Sequence, residues 1–329
     1  MSRVCVLGSG SWGTTLAIHL TQLGHEVSMW GNEPAELAEM VAAGENRKFL
    51  PGIPLPSGLK VQPELKAALA GAEFTLFVVP SQVVREMARR VRDAGGTRLP
   101  VSAAKGLEQD SLLRMSEVLA AELADPAPVV LTGPSHAEEV SLGVPTSVVA
   151  ASQDESRARA VQVLFASPVF RVYTNDDVLG SEIGAALKNV IAIAAGVCDG
   201  LGYGDNTKGA LLTRGLAEIA RVGVAMGGRR ETFFGLTGMG DLITTAMSRH
   251  SRNRHVGERL GKGESLEQVL GAMWMVAEGV HTARAARDLG RRHGVDMPIA
   301  EQVCALLFEG RSPREALGAL MSRDLKREA

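Results

Sequence analysis

The sequence predicts an α/β protein in two parts: a mostly parallel sheet covered by helices on both faces, then an all-helical domain. Three observations lead there. Apolar runs that read as strands alternate with helical periodicities through the first half. A glycine-rich turn joins the first strand to the first helix. After about Asn175 strand signals nearly vanish and helical stretches follow one another. At 329 residues the chain is longer than one core normally serves, which points to two domains. The expected division is 1–178, a dinucleotide-binding sheet domain, and 179–329, a helical substrate domain.

The elements follow in order. Val4–Leu7 reads as a buried strand, Thr14–Leu23 as a helix closed by Gly24, and Glu26–Trp30 as a second strand. Pro34–Ala43 is helical. Asn46–Pro63, rich in Pro and Gly, reads as loop with a short strand at Lys60–Gln62, and Pro63–Ala70 as a short helix. Then come strand Phe74–Val79, helix Gln82–Ala94, strand Pro100–Ala103, helix Leu112–Leu123 and strand Pro128–Leu131. Strands Thr146–Ala151 and Val169–Tyr173 flank helix Asp154–Phe165. Alternation of this kind implies a mostly parallel sheet. The helical stretches beyond are Leu179–Cys198, Gly209–Met226, Glu258–Lys262, Ser265–Leu270, Thr282–His293, Ala300–Phe308 and Pro313–Leu320.

Composition excludes several classes of function. Hydrophobic residues make up 45% and charged residues 22%, as in an ordinary globular protein, and the formal net charge is −2. No basic field points to nucleic acid or to an anionic membrane, so neither is an expected partner. Cys5, Cys198 and Cys304 lie far apart with no C-x-x-C, so neither a metal site nor a disulfide framework is expected. Gly8 cuts the first apolar run too short for a signal-peptide core, and Val190–Cys198 is about half a membrane span. The expected location is the cytoplasm.

Gly8-Ser9-Gly10-Ser11-Trp12-Gly13 is G-x-G-x-x-G, placed directly after a strand and opening a helix. Gly8 permits the tight turn, Gly10 lets a pyrophosphate approach the backbone, and Gly13 lets helix and strand pack closely. This makes the first domain Rossmann-type and NADP or NAD the expected cofactor. The end of the second strand normally meets the adenosine ribose, where an Asp or Glu favours NAD. Here the chain reads Gly31-Asn32-Glu33-Pro34. Asn32 has no charge to repel a 2′-phosphate, Glu33 points either way, and Arg47 and Lys48 supply positive charge if their loop folds back. NADP is therefore favoured.

Three further segments carry chemistry. Lys105, in Ser102–Leu107, stands just past a strand, at the sheet edge where open α/β sheets bind ligands. Gly133-Pro134-Ser135-His136-Ala137 follows another strand and offers small residues and backbone N–H groups at the same edge. Ile183–Gly196 is an apolar helix interrupted by Lys188 and Asn189. Gly184 and Ala192, one turn either side of Lys188, leave room for a ligand to reach its ammonium. A poorly solvated amine of this kind has a lowered pKa suited to acid–base work. A lysine that snorkels its head to water fits the composition equally well.

Together these segments resemble the bacterial NAD(P)-dependent glycerol-3-phosphate dehydrogenase family over nearly the whole chain. The matching runs are Gly8–Thr14, Lys105-Gly106, Gly133–Ser135, Leu187-Lys188-Asn189, Asp205–Lys208, Gly238–Leu242, Ser251-Arg252-Asn253 and Val276–Gly279. The resemblance implies that Ser11, Trp12, Asn32, Ala137, Val276 and Glu278 line the coenzyme, while Lys105 touches coenzyme and substrate. It implies that Gly133, Ser135, Asp241, Ser251, Arg252 and Asn253 bind a small phosphorylated substrate, Arg252 also lying near the coenzyme. Lys188 becomes the proton donor or acceptor. The implied reaction interconverts dihydroxyacetone phosphate and glycerol 3-phosphate, feeding glycerophospholipid synthesis, and a homodimer is the expected assembly.

Residue chemistry agrees with these roles. Arg252 can grip a phosphate through two parallel donors, with Ser251 and Asn253 adding neutral hydrogen bonds. Asp241 can orient Lys188, hold a substrate hydroxyl, or cap the following helix. The rival enzyme is a related β-hydroxyacid dehydrogenase acting on 6-phosphogluconate or hydroxyisobutyrate, against which the Ser251–Asn253 and Gly238–Asp241 segments argue. A rival of another class is an NADP(H) sensor without turnover, for which Lys188 and the phosphate-binding set would be superfluous.

Overall fold

The computed structural model describes residues 1–325 and Arg327. Its first half runs β1 (Arg3–Leu7), α1 (Ser11–Gln22), β2 (Glu26–Trp30), α2 (Pro34–Ala43), β3 (Lys60–Gln62), α3 (Leu65–Leu69) and β4 (Phe74–Phe77). A single 3₁₀ turn at Ser81–Val83 leads into α4 (Val84–Asp93), followed by β5 (Leu99–Ser102), α5 (Met115–Leu123), β6 (Val129–Thr132), α6 (Ala137–Ser141), β7 (Thr146–Ala151), α7 (Glu155–Phe165) and β8 (Phe170–Asn175). The strands form one eight-stranded sheet in the order β3-β2-β1-β4-β5-β6-β7-β8. Every pairing is parallel except β6 with β7. β4 and β6 are buried at every position and β1 at all but its first. Burial on both faces explains why these strands read as continuous apolar runs rather than alternating ones.

The second half is helical: α8 (Val178–Gly200), α9 (Asp205–Ala225), α10 (Arg230–Phe233), a wide π-type turn at Leu236–Gly240, α11 (Asp241–Met247), α12 (Arg252–Gly261), α13 (Leu266–Gly271), α14 (Glu278–His293), α15 (Pro298–Phe308) and α16 (Pro313–Met321). α8 is the axis of this half. Its apolar residues Ile183, Leu187, Val190, Ile191 and Ile193 belong to one buried cluster with residues of α9, α12, α14 and α15. By length and composition α8 could cross a membrane, more than the half-span read from Val190–Cys198, but it is buried inside the protein.

Backbone contact between α8 and α12 fixes the site. A Cβ on Gly196 would lie 1.9 Å from the Arg254 carbonyl oxygen, and one on Gly257 would lie 1.9 Å from the Ile193 carbonyl oxygen. Only glycines allow the helices to meet this closely. The contact holds the first turn of α12, with Arg252 and Asn253, alongside the middle of α8, where Lys188 stands. Local signals set the helix ends. Asp154 accepts from the Ser156 and Arg157 amides, Asp177 from Gly180, and Ser251 from Arg254, each satisfying a first-turn donor. α2 starts on Pro34 and stops at Gly44, whose φ of 65° is left-handed.

Candidate active site

The glycine motif forms a tight cradle with open space at its centre. Gly8 leaves β1 with φ of 120°, and a Cβ there would lie 2.4 Å from the Val78 carbonyl oxygen. On Gly13 a Cβ would lie 2.0 Å from the Gly8 carbonyl oxygen, but on Gly10 it would meet nothing within 4 Å. Gly8 and Gly13 thus fold the turn, and Gly10 leaves open the approach that a pyrophosphate needs. α1 begins at Ser11 rather than Thr14, with no side chain capping it, so its first amides remain for an anion. These features fit NAD(P). Asn46, which sequence reasoning passed over as loop, is buried and donates to the Ser9 carbonyl at 2.8 Å and to Thr14 Oγ1 at 2.7 Å, pinning the cradle from behind.

At the ribose end Asn32 lies two residues beyond the last residue of β2. Its Nδ2 donates to Glu33 Oε1 at 3.1 Å and its Oδ1 accepts from Arg90 at 3.1 Å. The Arg47–Lys48 loop does fold back: both residues line one pocket with Ser9 of the glycine motif, and both lie beside carboxylates. Lys48 Nζ is 2.5 Å from Glu36 Oε1, and Arg47 Nε is 3.9 Å from Glu45 Oε2.

The chemical centre is a buried carboxylate shared by two ammonium groups. Asp241 Oδ1 accepts from Lys188 Nζ at 2.6 Å, and Asp241 Oδ2 accepts from Lys105 Nζ at 2.8 Å. Lys105 also donates to the Gly133 carbonyl at 2.7 Å, and Lys188 to Thr245 Oγ1 at 2.5 Å. Lys188 is 4% exposed and Asp241 1%, so Lys188 does not snorkel to water. Burial pulls the Lys188 pKa down to about 8; Asp241 resists that fall, and the nearby charges of Lys105 and Arg252 add to it. Burial alone would push Asp241 up, but the two lysines outweigh it and hold the carboxyl below its ordinary value, ionised. Asp241 thus orients Lys188 directly.

One expectation about this helix is wrong. The space beside Gly184 is not open to a ligand: a Cβ there would lie 2.8 Å from the Thr237 carbonyl oxygen and 3.3 Å from Gly238 Cα. Gly184 instead lets the wide turn at Leu236–Gly240 press against α8, which brings Asp241 within reach of Lys188. Ala192 is fully buried and offers no opening either.

The remaining implied residues are spread over the sheet edge and the helices around this centre. Gly133, with φ of 136°, carries the chain away from β6, and Ser135 Oγ donates to its carbonyl at 3.1 Å. Ser251 is the buried cap of α12. Arg252 is solvent-exposed, yet the walls around its guanidinium lower its pKa by desolvation, against the pull of the Glu278 and Glu138 charges. Asn253 ties elements together: its Nδ2 donates to Asn189 Oδ1 at 3.0 Å and its Oδ1 accepts from Gly279 N at 2.8 Å. Glu278 reaches across to the sheet half, accepting from Ser81 N at 3.0 Å and Ser81 Oγ at 2.6 Å. Gly106 is needed beneath that contact, because a Cβ would lie 2.6 Å from Ser81 Oγ. Trp12 is half-buried, Ala137 is buried at the start of α6, and Val276 is exposed on the stretch leading into α14.

Thr245, Ser81 and Arg90 were not singled out from sequence, and a lone Thr, Ser or Arg on a helix or turn carries no signal for these contacts. His136 also borders the centre; burial lowers its imidazole pKa and its Nε2 lies 3.4 Å from the Thr244 carbonyl. A separate cavity of about 490 Å³ lies on the far side of the sheet, below the start of β6, lined by Arg114, Glu117, Asp176 and Arg229 among others. Its charges are matched internally, Arg114 with Glu117 and Glu182, and Arg229 with Asp176.

Two family models match this chain. One, described as NAD-dependent glycerol-3-phosphate dehydrogenase N-terminus, covers residues 3–158, and its C-terminus counterpart covers residues 177–318. The chain is similar to glycerol-3-phosphate dehydrogenase (NAD(P)+) of Desulfitobacterium hafniense strain Y51, with 50% identity over 330 residues, covering 100% of this chain and 93% of that protein. It is similar to the protein of the same description from Bacillus pumilus strain SAFR-032, with 49% identity covering 98% and 95%. Among solved structures, that of glycerol-3-phosphate dehydrogenase from Coxiella burnetii superposes with a TM-score of 0.94 at 37% identity, covering 98% of this chain and 99% of that one.

Proposed function

The chain belongs to the NAD-dependent glycerol-3-phosphate dehydrogenase family, and from that premise we propose how its own residues perform the reaction. It is an NAD(P)-dependent oxidoreductase that interconverts glycerol 3-phosphate and dihydroxyacetone phosphate. The observation that carries our reading of the site is the Asp241 carboxylate held between Lys188 and Lys105.

The coenzyme, held at the Gly8–Gly13 cradle, would supply the hydride for the C2 carbonyl carbon. Lys188, as the ammonium, stabilises the negative charge that develops on the carbonyl oxygen and gives up its proton to it; in the reverse direction the neutral amine takes the hydroxyl proton. With a pKa of about 8, Lys188 has both forms available near neutrality. Asp241 keeps the amine from losing its proton prematurely and fixes its direction. Lys105 sits between the Gly133 carbonyl and Asp241, at the meeting of sheet edge and helices, in position to serve coenzyme and substrate. The substrate phosphate falls to Arg252, Ser251 and Asn253 at the start of α12, where guanidinium and helix dipole favour the same dianion. Ser11, Trp12, Asn32, Ala137, Val276 and Glu278 line the coenzyme in this reading. Supply of glycerol 3-phosphate to glycerophospholipid synthesis is the accompanying role, and three buried, free thiols suit a reducing cytoplasm.

The test compares NAD(P)H oxidation with dihydroxyacetone phosphate against the oxo acids of the rival β-hydroxyacid dehydrogenases, for wild type and Lys188→Ala. The variant should lose turnover while binding coenzyme. Retention of most of kcat would remove Lys188 from the mechanism.

A further inference from the structure

α4 carries four arginines, and three are committed to carboxylates. Arg85 pairs with Glu108 and Glu122, Arg89 with Glu122, and Arg92 with Glu122 and Asp93. Arg90 differs. Among the described residues it makes no ion pair; its guanidinium lies 4.7 Å from the centroid of the Trp30 ring and donates one hydrogen bond, to Asn32 Oδ1 at 3.1 Å. Trp30 closes β2 in register with Leu7, the residue before Gly8, and Gly8 N donates to the Trp30 carbonyl at 2.8 Å. Position 32 is therefore held beside the glycine cradle, roughly 20 residues beyond the motif, where the adenosine ribose 2′ position is read.

We propose that Arg90 is the 2′-phosphate receptor of this enzyme and selects NADPH over NADH. The inference rests on the dinucleotide reading of the cradle given above. Three properties of the contact support it. The guanidinium has five donors in a planar fork, and Asn32 uses one of them, leaving others for phosphate oxygens. Its seat on Trp30, whose Nε1 is itself anchored on the Pro63 carbonyl at 3.0 Å, orients the group before any ligand arrives. The cations nearer in sequence, Arg47 and Lys48, already face Glu45 and Glu36. Glu33 opposes a 2′-phosphate by its charge, but its Oε1 is drawn to the Asn32 amide. Asn32 is thus a neutral spacer with an acid on one side and a guanidinium on the other, and it is the guanidinium that has donors left for an anion.

The test measures binding rather than turnover. Kd for NADPH and for NADH is read by nicotinamide fluorescence in wild type, Arg90→Ala and Arg90→Lys. Loss of a charge-assisted contact to phosphate should raise Kd for NADPH in Arg90→Ala by about tenfold to a hundredfold more than Kd for NADH, with Arg90→Lys between wild type and Ala. An unchanged ratio of the two constants overturns the proposal, as does an equal loss on both, which would place Arg90 against the adenine ring instead. A second measurement uses wild type alone: adenosine 2′,5′-bisphosphate should displace NADPH at lower concentration than adenosine 5′-monophosphate, and the advantage should shrink with salt. Equal displacement also overturns the proposal. Neither readout involves dihydroxyacetone phosphate, so failure here and failure of the reaction assignment are separately visible.

Discussion

Replacing Asp241 by Asn removes one negative charge from a buried cluster while keeping its shape. Lys188 and Lys105 then face each other without the carboxylate that both now contact, at 2.6 and 2.8 Å. An opposite charge at this range is worth roughly one to three pH units in a neighbour's pKa. Lys188 stands at about 8 with Asp241 in place, so the variant should lower it toward neutrality or below. For a fall of about two units, the protonated fraction at pH 7.5 drops about 25-fold, and reduction of dihydroxyacetone phosphate should drop with it. The assay is kcat for NADPH oxidation across pH 5 to 10. The alkaline limb of the wild-type profile, expected near pH 8, should move acidward in Asp241→Asn, with much of the rate recovered at low pH. A loss that is the same at every pH, or a limb that stays near 8, would refute the reasoning and leave Asp241 a positioning group only. A thermal melt recorded alongside separates this from unfolding, because an unpaired buried charge costs about 3–5 kcal/mol unless Lys188 escapes by losing its proton.

Lys105→Met should move the same alkaline limb the other way, upward, because the Lys105 charge lowers the Lys188 pKa; an acidward shift would contradict this. Arg252→Ala should raise KM for dihydroxyacetone phosphate by roughly thirtyfold, on the order of 2 kcal/mol, and equal losses with unphosphorylated dihydroxyacetone would show that Arg252 does not read the phosphate. Gly10→Ala should melt like wild type, since its Cβ meets nothing within 4 Å, yet bind coenzyme poorly; normal binding would mean the pyrophosphate does not lie there. Glu218, buried and accepting from Ile299 N and Ala300 N at 2.9 Å each, has its pKa raised from 4.5 to about 7 by desolvation. A raised carboxyl pKa favours the folded state fully below the unfolded value and loses that contribution as pH rises through the folded one. Stability should therefore fall between about pH 4.5 and 7 by roughly 3 kcal/mol from this group, and Glu218→Gln should flatten that part of the melting profile; an unaltered slope would exclude it.

The strands were legible because their physics is local to the chain. Runs buried on both faces, such as Phe74–Phe77 and Val129–Thr132, read as apolar runs, and β2, α2, β3 and β7 begin and end where turn and cap residues place them. The elements that were missed or begun late, α6, α10, α11 and the first turns of α1, α9, α12 and α14, share a different character. Arg252-Asn253-Arg254-His255 shows no apolar stripe, because its buried face is read through Asn253 and through the glycines that admit α8. The wide turn at Leu236–Gly240 is likewise held by backbone approach to Gly184 and to Phe233, which leaves no periodic trace. The residues of the centre were legible through resemblance, and their partnership was not. A lysine on an apolar helix and an aspartate in a glycine turn carry no sign in sequence that one carboxylate serves two ammonium groups. The antiparallel return of β7 after β6 was equally hidden, since Thr146–Ala151 is as apolar as a parallel strand.

That shared carboxylate makes joining the two halves and setting the acid a single event. Lys105 and Gly133 come from the sheet edge, whereas Lys188, Asp241 and Thr245 come from the helices. A second tether, Glu278 on the Ser81 turn, binds the same halves. Were the sheet edge to draw back, Lys105 would leave Asp241, and Lys188 would keep the carboxylate to itself. With its counter-charge undivided and its like-charged neighbour gone, Lys188 would hold its proton more tightly and donate it less readily. The contact of Lys105 with Asp241 thus keeps Lys188 the readier proton donor. The glycines that let α8 meet α12 and the wide turn act upstream of this, since they bring Asp241 and Arg252 to the side of α8 on which Lys188 lies.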